Sequence, residues 1–369
     1  TLFDQIVVGE VQSDGTIDTD PNQGIIDSNI TSGKLQGLLE MRDSALPDLA
    51  AELGRLSSQV VDQINAIHNA NTTVPSPSTL TGRNSGLIST DATNFTGKVT
   101  LATLDSSNDF VERLEIDFTS GTVEFNGGGA ISTTLTTLDD MISAVNSKFT
   151  GSPMALTAGV LSFSAPSGST GVSILQDTTS PALRAGRGFS HFFGMNDLME
   201  ADREAHYETG LAAAISHNLG ADGATTIALR DNNSNIAKTF ELTVTNINTR
   251  GSTFQSVLDE LNDSSNFGNF GTFALSTNGA LTFTPVAAYS DYQPVVTSDT
   301  TNRGSTGLSL TDLFGIGPKY LAESAEEVTV INTILSDPSR IALARLDTSS
   351  AAIAGTVPAL SVGDGAGAV

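Results

Sequence analysis

Three oxygen-bearing side chains near the N terminus alternate in a way that could hold a calcium ion. Asp18, Asp20 and Asn22 stand at every second position, which is how a calcium-binding loop presents its first ligands. However, Gly24 comes one position later than such a loop requires, and Asn29 stands where the bidentate Glu is needed. A turn in which Asp and Asn bond the local backbone is the better interpretation. No metal site is predicted, although the pattern leaves open whether an ion binds this turn.

The other residue types that carry chemistry lack the spacing that the chemistry needs. None of the four histidines stands in an HExxH pair or at another metal-ligand spacing, and there is no cysteine to supply a thiolate. No G-x-S-x-G segment presents a serine nucleophile, and the glycines of residues 363–368 do not follow the strand that a phosphate-binding loop requires. We therefore predict no catalytic, cofactor-binding or metal-binding residue and expect that the protein is not an enzyme. The histidines are His68, His191, His206 and His217.

The charge of the chain excludes several classes of partner. Of 369 residues, 41 are acidic and 17 are basic, which gives a net charge of −24. Because Lys and Arg form no cluster, the chain is not suited to binding the phosphates of nucleic acids, and an anionic membrane surface would repel it. No apolar run approaches the roughly 20 residues of a membrane span, and no secretion signal is visible. We expect no nucleic-acid partner and no membrane insertion.

Apolar residues spaced by three or four positions predict a long helix near the N terminus. The helix runs from Leu46 to Asn69, after a shorter one from Leu35 to Asp43, and Pro47 fits at its start. His68 falls in its last turn, where a cation would interact favourably with the helix dipole. The apolar stripe consists of Leu46, Leu49, Leu53, Leu56, Val60, Ile64 and Ile67. Burying such a side chain gains about 1.5–3 kcal/mol, which is less in total than the backbone entropy of two dozen ordered residues, at about 1–2 kcal/mol each. The helix therefore needs a partner.

The predicted partner lies towards the other end of the chain. Residues 321–335 and 338–346 are predicted to be helical, and Val328, Ile331 and Leu335 are in phase on one face. We therefore predict that both chain ends, residues 1–78 and 319–369, pack together as one helical base. Everything between them is then an insertion.

The insertion contains the same order of elements twice. A first module (residues 79–204) and a second module (residues 205–318) each read as two strands, a helix and two strands. The predicted fold class is therefore α+β, with a helical base that carries two β-rich ββαββ modules. The helices of the modules match at a constant spacing of 116 residues, with Leu138, Ile142 and Val145 corresponding to Phe254, Leu258 and Leu261. Duplicated β-rich modules mounted on helices favour a structural role.

Each module ends in a Phe-Gly pair, Phe193-Gly194 in the first and Phe314-Gly315 in the second. One interpretation is an aromatic anchor for a partner subunit. The favoured interpretation is a plug, in which the phenylalanine closes the core of its module and the glycine permits a turn with positive φ.

The helical region carries a pattern of specific positions. They are Ser32, Gly33, Leu35–Leu39, Arg42, Asp43, Leu46, Pro47, Leu53, Asn65 and His68. In this pattern the chain resembles the flagellar hook-associated protein 1 family, the first hook–filament junction proteins of bacteria. The segments Gly188–Leu198 and Asn332–Ala344 also resemble that family, in the same order, so that the similar pieces span most of the chain.

The resemblance implies an extracellular, non-catalytic axial protein, exported through the flagellar type III apparatus without a cleaved signal and placed where the hook meets the filament. Its implied partners are copies of itself in a ring, the hook protein, the second junction protein and an export chaperone that binds a C-terminal flank. Family subunits touch through helical termini, which we expect to lie outside this chain. Together with the charge of −24, this predicts a monomer in solution. Arg42 and Asp43 are interpreted as helix-start and packing residues.

Three alternatives stay open. A flagellin-like filament subunit or a second junction subunit would belong to the same structural class. A bacterial surface adhesin built of β modules would need a binding groove or an ion site, which equilibrium dialysis with calcium would detect. An acidic hydrolase would need a concave pocket with convergent polar groups.

Overall fold

A computed structural model describes residues 11–16, 30, 32–201, 207–231 and 236–360, apart from the side chains of 318, 319 and 321. Within these ranges the protein is a mixed α+β chain with helices near its N terminus and several β-sheets. The predicted turn at Asp18, Asp20 and Asn22 lies outside the described residues, as does His206.

The N-terminal helices match the prediction closely. Helix α1 covers Gly33–Glu40 and helix α2 covers Leu46–Asn69. A π-helical turn, Met41–Ala45, joins them, and the N–H of Leu46 bonds the carbonyl of Met41, five residues earlier. The turn widens at this point because Pro47 has no N–H and its ring crowds the carbonyl four residues before it. The two predicted helices are therefore one continuous rod, of which α2 alone is about 36 Å long at 1.5 Å per residue.

The first module forms two sheets. Its strands are β1 (Thr79–Asn84), β2 (Lys98–Leu104), β3 (Phe110–Asp117), β4 (Thr122–Phe125), β5 (Ile131–Ser132), β6 (Met154–Thr157), β7 (Val160–Ser164), β8 (Gly171–Gln176), β9 (Leu183–Arg184), β10 (Arg187–Gly188) and β11 (Met199–Glu200). Its helices are α3 (Leu138–Lys148) and α4 (Phe189–Phe193). One sheet has the order β5-β4-β3-β2-β8 and the other β1-β7-β6, while β9 pairs with β10.

The second module repeats part of this pairing. Its strands are β12 (Ala224–Arg230), β13 (Ile236–Thr243), β14 (Gly271–Leu275), β15 (Leu281–Pro285) and β16 (Gln293–Asp299). Its helices are α5 (Val244–Arg250), α6 (Phe254–Leu261) and α7 (Leu310–Phe314). The sheet order β13-β12-β16 corresponds to β3-β2-β8, and the hairpin β14–β15 corresponds to β6–β7.

Most predicted elements of the modules are present, with one correction. Helices α3 and α6 lie at the predicted positions, and the hairpins turn at Ala158-Gly159 and at residues 276–280. The predicted ββαββ pattern lacks one strand, because each module has a further last strand: β8 pairs with β2 in the first module, and β16 pairs with β12 in the second. The observed order of the shared elements is ββαβββ.

The C-terminal region differs from the prediction. Residues 321–335 do not form one helix: α8 (Pro318–Glu323) ends before β17 (Thr329–Val330), which α9 (Asn332–Ser336) follows. The β-branched run at 328–331 disfavours a helix and suits a strand, and β17 pairs with β11. Residues 338–346 form only a 3-10 turn at Pro338–Arg340, and a last helix, α10, covers Ser350–Ile353.

The two chain ends nevertheless meet. Helix α8 packs against α2, and Thr72 and Ala344 exchange two backbone hydrogen bonds of 2.7 and 3.0 Å. The main hydrophobic core does not involve α2. It is one continuous cluster of buried side chains that runs through both modules, from Leu80 to Ile316. A smaller cluster lies on the opposite face of β2, so that this central strand is buried on both faces.

Candidate subunit interface

The predicted stripe of α2 faces solvent. The exposed fractions of its side chains run from 48% at Val60 to 65% at Leu49, and only Ile64 is half-buried. The prediction that Leu46, Leu49, Leu53, Leu56, Val60, Ile64 and Ile67 pack against Val328, Ile331 and Leu335 is therefore wrong for the described chain. The helix predicted at 321–335 does not exist, and Leu335 is itself 63% exposed. Val328 and Ile331 are half-buried beside the short β17–β11 pair.

The stripe has the spacing of a coiled-coil seam. Leu46, Leu53, Val60 and Ile67 stand seven residues apart, and Leu49 and Leu56 form the second position of the same heptad. Apolar residues that alternate by three and four positions are the surface with which one helix packs along another. Leu38 and Met41, just before α2, are exposed as well. The described structure therefore presents a long apolar seam with no helix packed on it.

The opposite face of α2 holds the helix to the rest of the molecule, and it is mainly polar. Its buried residues are Gly54, Val61, Asn65, His68 and Asn69. A buried polar group costs free energy unless it is hydrogen-bonded, so the positions of their partners fix the helix in one orientation. We call Asn65, His68 and Asn69, together with their partners, the polar junction.

Asn65 binds the chain as it enters β11. Its amide Nδ2 donates to the carbonyl of Met199 at 2.9 Å, and its Oδ1 accepts the N–H groups of Leu198 and Met199, each at 2.9 Å. One side chain thus satisfies three backbone groups, as a neighbouring strand would do. These bonds hold α2 beside the β11–β17 pair.

Asn69 binds the turn that follows α4. Its Oδ1 accepts from Ser190 Oγ at 2.7 Å and from the N–H of Asn196 at 2.9 Å, and its Nδ2 donates to Asp197 Oδ1 at 2.6 Å. Asp197 is also ion-paired with Arg83 at 2.8 Å. Both of these charged side chains are nearly buried, so this contact joins α2, β1 and the end of α4 in one network.

His68 is buried and neutral, which corrects the expectation of a cation at the helix end. Its Nδ1 lies 2.6 Å from the carbonyl of Asn196 and its Nε2 lies 2.9 Å from the backbone nitrogen of Ala342. Burial lowers the pKa of His68, although the Asn196 carbonyl and the charge of Asp197 oppose this shift. The ring connects α2 with the returning C-terminal segment.

The two Phe-Gly pairs occupy equivalent places. Phe193 is fully buried and Phe314 is 4% exposed. Gly194 and Gly315 follow the short helices α4 and α7 as left-handed caps, with φ of +66° and +58°. Arg42 and Asp43 lie in the π turn, where the guanidinium binds the neighbouring carboxylate at 2.6 and 2.7 Å.

The sequence identified the seam but missed the polar junction. Asn65 entered only as a position in the family pattern, His68 entered there and as a cation at the helix end, and Asn69 entered only as the last residue of the predicted helix. The signal was available: polar residues recur at positions 65, 68 and 69, on the face opposite the leucines, where a solvent-facing helix would not require amides and an imidazole. None of the described helices is long and apolar enough to cross a membrane.

Comparison with known proteins identifies the helical segment. Residues 6–83 match the family model of the flagellar hook-associated protein FlgK helical domain. This range contains α1, the π turn and α2, and it reaches into β1 as far as residue 83. No curated protein and no solved structure matches the chain.

Proposed function

We propose, from the match of residues 6–83 to the family model of the flagellar hook-associated protein FlgK helical domain, that this chain belongs to the flagellar hook-associated protein 1 family and is the structural subunit that joins the hook of a bacterial flagellum to the filament. Members of the family are structural components of the flagellum, an extracellular appendage. In this proposal the chain has no catalytic role, and it is exported through the flagellar apparatus without a cleaved signal.

The structural observation that carries this proposal is the exposed seam on α2, within the matched segment. Seven apolar side chains on one helix would gain about 1.5–3 kcal/mol each on burial, and the described chain realises little of that gain. A subunit that packs along neighbouring axial helices would realise it. We propose that the seam contacts other axial subunits, namely copies of the same protein in a ring, the hook protein and the second junction protein, and that a chaperone covers apolar helices before export.

The domain arrangement follows from the same proposal. In this proposal residues 1–78 and 319–369 form the base near the axis, with residues 342–360 lying against the first module, and the first and second modules project outward from it. The packing of α8 on α2 and the bonds between Thr72 and Ala344 support a base built from both chain ends. The continuous core through both modules supports an outer part that moves as one body.

The experiment replaces the protein in its own bacterium by a variant with Leu49→Glu and Leu56→Glu. Both positions are exposed, so folding and export should persist while assembly fails. We expect hooks without filaments by electron microscopy and filament subunits shed into the medium. The matched control is Val111→Glu with Ile236→Glu, two exposed apolar positions on β3 and β13, which should leave filaments attached. Attached filaments in the seam variant would refute the proposal.

A further inference from the structure

The last described part of the chain, residues 342–360, lies across the first module as a strap. Its start is paired with Thr72, and its end is tied by the N–H of Ala359, which donates to the carbonyl of Asn108 at 2.9 Å. Four strap side chains, Ala344, Leu346, Ala359 and Leu360, form the smaller hydrophobic cluster with Ala102 and Leu104 of β2. The strap therefore covers the face of the five-stranded sheet that the main core leaves open.

The first residue of the strap, Ala342, is hydrogen-bonded to His68, and the surrounding groups determine which tautomer of this histidine is present. Nδ1 of His68 faces a carbonyl, which can only accept, so this nitrogen carries the proton. Nε2 faces the N–H of Ala342, which can only donate, so Nε2 is unprotonated and accepts this hydrogen bond. Both His68 and Ala342 are buried, at 4% and 3% exposed, so water does not readily replace the Ala342 bond.

A second proton can bind this ring only at Nε2, because Nδ1 already carries one. With Nε2 protonated, two N–H donors would face each other across the 2.9 Å between Nε2 and the Ala342 nitrogen, and the hydrogen bond would be lost. We propose that His68 is a pH-sensitive latch: the neutral ring holds the strap closed at neutral pH, and a proton on Nε2 releases the strap from the first module.

The other charged groups around the ring do not reproduce this behaviour. Those on the elements packed around His68 are Asp62, Arg83, His191, Asp197, Asp337, Arg340 and Arg345. Asp62, Asp197 and Asp337 are each ion-paired with an arginine, namely Arg187, Arg83 and Arg340. Asp197 favours the charged ring and so opposes the effect of burial. His191, whose Nε2 lies 3.0 Å from Asp62 Oδ1, is the one further histidine in this set, and it needs its own control.

The proposed latch predicts in which direction, and how steeply, the population with an open strap changes with pH. The ring of the closed strap has a lower pKa than a solvated histidine, because burial disfavours its charge. The open form therefore gains protons first as the pH falls below about 6.5. Between the two pKa values the population with an open strap rises by up to tenfold per pH unit, which is the limit for one linked proton.

The experiment measures amide hydrogen exchange of Ala342 and Ala344 between pH 7 and pH 5, corrected for the intrinsic pH dependence of exchange, together with the NMR titration of the His68 ring. We expect protection at both amides to fall through the same pH range in which His68 titrates. The His68→Gln variant should lose this pH dependence. If that variant does not fold, the comparison of the two midpoints in the wild-type protein decides alone.

Two control variants keep the test specific. His191→Gln and His217→Gln each remove another buried histidine and should keep the wild-type pH dependence of strap exchange. Protection that stays constant while His68 titrates would overturn the proposal. So would a pH dependence that persists in His68→Gln, or one that disappears in either control.

Discussion

Asp91 of the first module and Arg303 of the second form a two-pronged ion pair with no exposure to solvent. Arg303 Nη1 lies 2.9 Å from Asp91 Oδ2, and Nη2 lies 2.8 Å from Oδ1. The side chain of Arg303 is 0% exposed and that of Asp91 is 1% exposed. Arg303 also donates to the carbonyl of Gly86. A guanidinium of one module is therefore neutralised inside the other.

A second buried arginine makes the reciprocal contact. Arg184 of the first module donates to the carbonyl of Thr209 at 3.0 Å, and to the carbonyls of Ala92 and Thr93 at 2.6 Å. Burial lowers the pKa of Arg184 to about 10, which leaves it charged at neutral pH. Each module thus places one arginine at the boundary, and the shared core fills the space between them. The two modules should behave as one rigid body.

Replacing Asp91 by Asn tests this boundary. The change leaves the Arg303 charge buried without its counter-charge, and we expect the free energy of unfolding to fall by about 3–5 kcal/mol. The measurement is urea denaturation at neutral pH. Glu115→Gln is the control, because Glu115 pairs with Lys98 at the surface, where both are more than a third exposed, and should cost about 1 kcal/mol or less. Equal losses of stability in the two variants would contradict a stabilising role of the buried Asp91–Arg303 ion pair.

The glycine cap of α4 should tolerate no side chain. Gly194 has φ of +66°, and a Cβ there would meet Asp197 Oδ2 at 2.5 Å and Arg83 Nη1 at 2.7 Å. Gly307 has a similar φ of +75° but open space around it. We expect Gly307→Ala to cost about 1–2 kcal/mol for the backbone alone, and Gly194→Ala to cost about 1–3 kcal/mol more because of overpacking. Thermal and urea unfolding of both variants would measure the difference, and equal costs would contradict the predicted clash.

The sequence predicted those elements whose signal is local. The three-and-four spacing of apolar residues gave α2 within its observed bounds, and the repeated pattern gave α3, α6 and both hairpins. The prediction failed at 328–331, where two of the three in-phase apolar residues, Val328 and Ile331, belong to a β-branched run whose Thr329 and Val330 pair with β11. Periodicity shows that a helix is amphipathic, but it does not show what covers the apolar face.

The polar junction could not be predicted from the sequence for a different reason. Asn65 satisfies backbone groups of Met199 at a sequence separation of 134 residues, and nothing in the local pattern around either residue indicates the other. The same holds for Asp91 and Arg303, which are 212 residues apart. Such pairs depend on how the modules dock, and docking follows from the shape of the whole core.

An exchange of leucine and asparagine on α2 separates its two faces. Leu53→Asn alters an exposed side chain and should change the free energy of unfolding by about 0.5 kcal/mol or less. Asn65→Leu removes three bonds to the backbone of residues 198 and 199 and should cost about 2–4 kcal/mol, because buried donors and an acceptor lose their partner. Urea denaturation of both variants measures this. A larger cost for Leu53→Asn would mean that the seam is buried within the chain after all.

Low pH should lower the free energy of unfolding through the protonation of His217 in the second module. Its Nδ1 accepts the N–H of Leu219 at 3.0 Å, and burial lowers its pKa, as does, more weakly, the nearby charge of Arg303. Because the folded pKa lies below that of the unfolded chain, the unfolded chain binds the proton first. The stabilising effect of the neutral ring is therefore complete above about pH 6.5 and is lost as the pH falls towards the folded pKa. The measurement compares the free energies of unfolding of the wild type and of His217→Gln at pH 7 and pH 5. We expect a smaller loss in the variant, and the same loss in both proteins would show that His217 takes up its proton equally well folded and unfolded.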